Sequence, residues 1–150
     1  FFGSEFTTED MESGKTDEYD YRVLQEGKYG KNEVWVIEAK PKPIRLRKTK
    51  YSKLLLWIDK TKKVPLKVQG YDKFDKLYKR TVMKAYRQVN DLWIAEDVTV
   101  FNLRDKRLST MTTVKIALGI VVEAELLTQR SLTDFAYRER KLSDLREQFQ

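Results

Sequence analysis

The chain has 150 residues, of which 41% are hydrophobic and 35% charged, with a formal charge of +7. That balance fits one folded domain with a real core and excludes a disordered or membrane-buried chain; no stretch reaches the roughly 18 to 20 uncharged apolar residues of a spanning helix. With no Cys and no His there is no disulfide, no Cys or His metal site, no thiol nucleophile and no imidazole base, which removes most triad hydrolases and zinc enzymes.

In chain order, Thr7-Thr8-Glu9-Asp10-Met11 sets a capping hydroxyl before acids and predicts a short helical turn, ended by Gly14. From Tyr19 the pattern becomes a strand, with Tyr19, Tyr21 and Val23 alternating against Asp20, Arg22 and Leu24. Gly27 to Asn32 is a turn, Glu33 to Ala39 a second strand, and Pro41 and Pro43 close it. Tyr51 to Asp59 is a third strand, apolar on both faces over Leu54 to Ile58, so both faces need cover. After the polar turn Asp59 to Lys63, Val64, Leu66 and Val68 alternate with Pro65, Lys67 and Gln69. Leu77 to Val89, Leu92 to Leu103 and Leu108 to Leu118 follow as strands, separated by turns at Asn90-Asp91 and Arg104-Asp105-Lys106. About seven strands joined by short loops predict a curved antiparallel sheet in meander order.

After Gly119 the pattern turns helical. Leu132, Phe135, Leu142, Leu145 and Phe149 share one helix face, with Ser131 or Thr133 as the cap. The fold class is therefore mainly β (α+β): a curved antiparallel sheet or incomplete half-barrel with short helices and a C-terminal helix. One domain spans residues 1–150, with 133–150 as a helical extension.

Charge is unevenly spread. Residues 1–39 carry 4 basic and 10 acidic side chains, whereas residues 40–87 carry 17 basic and 3 acidic. A local positive field of that kind attracts phospholipid headgroups, nucleic acid or an acidic partner; a solvated sheet face reads equally well. Tyr71, Phe74, Tyr78, Arg80 and Tyr86 interleave base and aromatic as a stacking groove would. Aromatics are ordinary strand residues, however, so nucleic acid is the weaker reading.

Catalytic patterns are absent. There is no Gly-rich phosphate loop and no G-x-S-x-G elbow. Glu96 and Asp97 are strand neighbours on opposite faces and form no dyad. What remains is apolar surface in excess of one thin core, which a curved sheet can use to hold an apolar ligand.

Several segments resemble one family. Lys53-Leu54-Leu55-Leu56-Trp57-Ile58-Asp59-Lys60, then Val64-Pro65-Leu66-Lys67-Val68 and Tyr71-Asp72-Lys73, resemble the LolA-like superfamily of outer-membrane lipoprotein-sorting proteins. Gly3 to Met11, Val34 to Pro41, and Glu125 to Leu132 resemble further segments of that family in the same order. The resemblance covers roughly residues 3 to 132. It implies a half-barrel with helices over its concave side, and a periplasmic carrier of a lipid or lipoprotein acyl chain with no cofactor and no enzymatic activity. It also implies an inner-membrane transporter as partner. The family's front section, with its signal peptide, covering helix and first strands, has no counterpart in the sequence. The first strand would then be an open edge, completed by that section or by a second copy, and the C-terminal helix offers another route to a homodimer.

Groove candidates from the alternating faces are Leu55, Trp57, Leu66, Val68, Val82, Tyr86, Ile94, Val98, Val100, Val114 and Ile116. Headgroup candidates are Lys53, Lys67, Lys79, Arg80 and Lys84, which would also suit an anionic membrane surface. A one-residue slip exchanges the two faces of a strand, so periodicity alone leaves open which face is concave. The competing reading is a non-enzymatic adaptor that binds a membrane transporter at its sheet edge.

Overall fold

A computed structural model describes residues 3–11, 16–116, 118–119 and 121–147, in two compact units, residues 1–113 and 114–150. The first unit is built on one seven-stranded antiparallel sheet whose strands neighbour each other in sequence order, without closing into a barrel. The strands are β1 (Tyr19–Tyr29), β2 (Asn32–Pro41), β3 (Lys53–Asp59), β4 (Pro65–Tyr71), β5 (Leu77–Val89), β6 (Leu92–Asn102) and β7 (Arg107–Thr112). The meander follows from the alternating pattern and from loops too short for anything but neighbouring antiparallel strands. The expected turn near the N-terminus is present as α1 (Thr8–Met11); Gly14 lies outside the described residues.

Element ends differ from the sequence pattern in places: the turn expected from Gly27 opens only after Tyr29, the end of β1. The last strand was expected to reach Leu118. β7 instead stops at Thr112, and Thr113 makes one further bond, its N–H to Glu96 O at 2.7 Å. Between β2 and β3 the Pro41/Pro43 stop also begins a helix, α2 (Pro43–Leu46), in which proline sits in the first turn where its missing N–H costs nothing.

Register divides the sheet into rows. One row is Tyr21, Ala39, Leu54, Gly70, Lys79, Asn102, Arg107; the next on the same face is Val23, Ile37, Leu56, Val68, Thr81, Val100, Ser109. Between them runs a row of the opposite face: Arg22, Glu38, Leu55, Gln69, Arg80, Phe101, Leu108. The N-terminal segment covers the first face. Glu5 reaches β6 and β7 through Asn102 (2.7 Å) and Arg107 (3.0 Å), and Asp10 reaches Lys79 on β5. Gly70 lies under Tyr51, and a Cβ there would stand 2.5 Å from the Tyr51 ring, so only glycine permits this approach.

At the β3–β4 turn Asp59 accepts the backbone N–H groups of Thr61 and Lys62, both at 2.8 Å, and the Asn32 amide. Burial pushes this carboxyl up, but those donors outweigh it and hold its pKa below the usual carboxylate value.

In the second unit a 3-10 turn at Ala124–Leu127 leads to α3 (Gln129–Thr133) and α4 (Phe135–Glu147). The expected continuous helix is split. Asp134 caps α4 by accepting Tyr137 N–H at 3.0 Å, while Ser131 is buried and donates to Leu126 O and Thr128 O. Leu132 and Phe135 are exposed, Leu142 and Leu145 half-buried, and Phe149 lies outside the described residues.

Gly70→Ala is expected to cost about 1–3 kcal/mol in urea unfolding, and clearly less when made in a Tyr51→Leu background, where the opposing ring is gone. The stabilisation from Asp59 is complete above the unfolded value near pH 4 and fades as pH falls through its lower folded value. Between pH 5 and 3 the wild type should therefore lose more stability than Asp59→Asn.

Candidate functional site

The covered face and the N-terminal segment line an open-sided cavity of about 490 Å³. Its floor is Leu54, Leu56, Val68, Met83, Val98 and Val100, and Phe6 and Met11 of the N-terminal segment add to its lining. Lys79 and Arg45 bring charge to the same lining, together with Glu9 and Asp10 of α1. Lys79 is 3% exposed and its Nζ lies 2.6 Å from Asp10. Asp10 also accepts Thr7 N–H at 2.7 Å, the Thr7 hydroxyl at 2.8 Å and the Tyr51 hydroxyl at 3.3 Å. Arg45 pairs with Glu9 at 3.3 Å and Glu18 at 3.4 Å, and its Nε donates to the Tyr19 hydroxyl at 3.1 Å. Burial, then the charges of Asp10 and Glu9, push the Tyr51 phenol far above its ordinary value, so it stays a neutral donor. The chamber thus has apolar walls and an end where every buried charge is matched.

Val68, Val98, Val100 and Lys79 of the sequence candidates line this cavity. Leu55, Trp57 and Val82 stand in the rows of the opposite face, with Lys67 and Arg80 beside them. Lys84 pairs across with Asp97 one position beyond Met83, and is exposed. Leu66 is buried in the bulge between β3 and β4, outside the lining. At Ala85, φ 52, left-handed backbone interrupts the alternation of β5; beyond it Tyr86 donates to Pro65 O, and Ile94 pairs with Arg87 away from the lining. Burial and the Asp59 charge push Tyr86 up to about 12. Val114 and Ile116 follow the end of β7 in the second unit and line no part of the cavity.

The headgroup candidates are dispersed. Lys53 pairs with Asp75 at 2.7 Å, and Lys67 lies 3.3 Å from the Trp57 ring centroid. Burial, then the Arg80 charge, lower the Lys67 pKa. Arg80 Nε is buried without a hydrogen-bond partner. Sequence reading missed Leu54, Leu56 and Met83, each one residue from a named candidate, and the α1 acids. The one available signal was Gly70, a glycine inside a strand, which marks close approach. Among the described residues no group of three acids could hold a metal ion.

Solved structures share this architecture. A domain named for outer membrane lipoprotein sorting, from Vibrio parahaemolyticus, matches with a TM-score of 0.80 at 28% identity, over 88% of this chain and 55% of that one. A DUF1329 family protein from Desulfovibrio piger matches with a TM-score of 0.78 at 22% identity, over 88% and 55%. A LolA superfamily protein from Nitrosomonas europaea matches with a TM-score of 0.63 at 17% identity, over 76% and 50%. The chain spans about half the length of these solved chains. No curated protein matches. The fold is that of the LolA-like superfamily, as the sequence resemblance implied. More narrowly, a family model described as "-like: Uncharacterized protein" matches residues 1–134, and the chain belongs to that family.

Removing Asp10 leaves a buried ammonium without its counter-charge, so Asp10→Ala is expected to cost about 3–5 kcal/mol in chemical unfolding. Asp10→Leu combined with Lys79→Met should cost clearly less than the two single changes added together.

Proposed function

We propose that this chain carries a lipid or lipoprotein acyl chain in the cavity on its covered sheet face, without catalysis. The observation that supports it is the chamber itself: about 490 Å³ with aliphatic and Met walls, within the roughly 300–1,000 Å³ of small-molecule sites. Each CH2 moved from water into it is worth about 0.8 kcal/mol, so an acyl chain binds with no special partner group. The solved domain named for lipoprotein sorting supports the same reading at 28% identity. In this reading the compartment is the periplasm and an inner-membrane transporter or anionic membrane is the donor. Among the described residues no helix is long and apolar enough to cross a membrane.

Leu56→Arg places a charge on the cavity floor. Lipid extraction and mass spectrometry of the purified chain should recover acyl lipid from the wild type and little from Leu56→Arg, with folding checked by circular dichroism. No lipid in the wild type, or equal recovery from the variant, would sink the carrier reading and favour the adaptor that binds protein at its sheet edge.

A further inference from the structure

The segment Pro43-Ile44-Arg45-Leu46-Arg47-Lys48-Thr49-Lys50 contains no acidic residue. Its inward side is occupied: Arg45 is 9% and Thr49 6% exposed, and both bond to Glu9 of α1. Arg45 and Thr49 are four residues apart, one turn along the chain. That arrangement turns Ile44 and Leu46 outward, at 62% and 50% exposure. Arg47, Lys48 and Lys50 are exposed as well, and among the described residues no acidic side chain pairs with theirs. The neighbouring β4–β5 turn adds Phe74, 82% exposed. That turn is tied to the residues just after the segment, by Ser52 N–H to Tyr71 O, 2.8 Å, and by Lys53 to Asp75, 2.7 Å.

We propose that α2 and the basic residues behind it dock this chain onto an anionic phospholipid surface. Two unmet demands meet in one patch. Aliphatic side chains without cover call for an apolar layer, and unpaired cations call for a dense array of anions. The edge of a bilayer offers both within a few ångströms, with acyl chains beneath and phosphates above. Nucleic acid would satisfy only the cations. Lys and Arg reach the phosphate layer while Ile44, Leu46 and Phe74 sink to the acyl boundary. Arg45 belongs at once to α2 and to the cavity lining, so docking would bring that end of the cavity to the membrane. The inference goes beyond cargo carriage and does not rest on it, because the patch stands whether or not the cavity is filled.

Vesicle flotation tests it with the whole chain, using phosphatidylcholine vesicles with and without phosphatidylglycerol. Binding should require phosphatidylglycerol and weaken as salt shortens the screening length. Lys48→Gln should lower partitioning about fivefold, the factor of about one cation at a charged bilayer. Ile44→Ser should lower it about tenfold through lost apolar burial. Lys84→Gln, an exposed cation on β5 outside the patch, should leave it unchanged. Absence of binding to the anionic vesicles overturns the proposal, as does equal binding to neutral ones. So does an equal loss in Lys84→Gln and Lys48→Gln, or an Ile44→Ser chain that binds like the wild type. Melting temperatures within about 2 °C of the wild type show that the fold is kept, as expected for exposed positions.

Discussion

Lys79 carries its charge on the covered face of the sheet at 3% exposure, and a charge so placed persists only with a partner. Asp10 is that partner, and it comes from a segment 69 positions away in sequence. The contact fixes where the N-terminal residues cross the sheet. Around it Glu9 meets Arg45, and Glu5 meets Asn102 and Arg107, so acids from residues 5–10 are spread across β5, β6, β7 and the approach to β3. The acidic start of the chain and its basic middle are therefore two halves of one closure. Part of the charge imbalance that suggests an anionic partner is spent inside the molecule.

The same closure leaves a void. An α1 of four residues, Thr8–Met11, cannot fill a floor built from four strands, β3 to β6. Gly70 deepens one side by letting the Tyr51 ring come down onto the backbone of β4. Polar groups at that end are saturated among themselves, so the remaining wall is aliphatic and weakly hydrated. Such a surface has more to gain from a hydrocarbon guest than from water.

Away from the cavity, much of the basic block is held by rings. Lys67 lies over Trp57, Lys63 over Trp35 at 4.3 Å and Lys62 over Trp93 at 4.6 Å, so all three tryptophans of the chain carry an ammonium. The side-chain cations of Arg47, Lys48 and Lys50 differ: among the described residues none pairs with an acid or lies over a ring. That contrast within one block separates residues that stabilise the sheet from residues left to meet something outside it.

The seven strands, their order and most of their ends were legible in the sequence, because alternation and turn residues are local and short loops leave neighbouring strands no choice but to pair. The inward residues were not. Leu55 and Leu56 are equally apolar, as are Val82 and Met83, and alternation gives two faces without saying which one the N-terminal segment will cover. The long-range contacts of the N-terminal segment, Asp10 with Lys79 among them, make that choice, and they put Leu54, Leu56 and Met83 inside and Leu55, Trp57 and Val82 on the other side. A four-residue helix such as α2 is likewise below the length at which a helical period can be read, and its outward Ile44 and Leu46 exist only because Arg45 is drawn inward by Glu9 and Glu18. Local periodicity set the strands; contacts between residues distant in sequence set their sides.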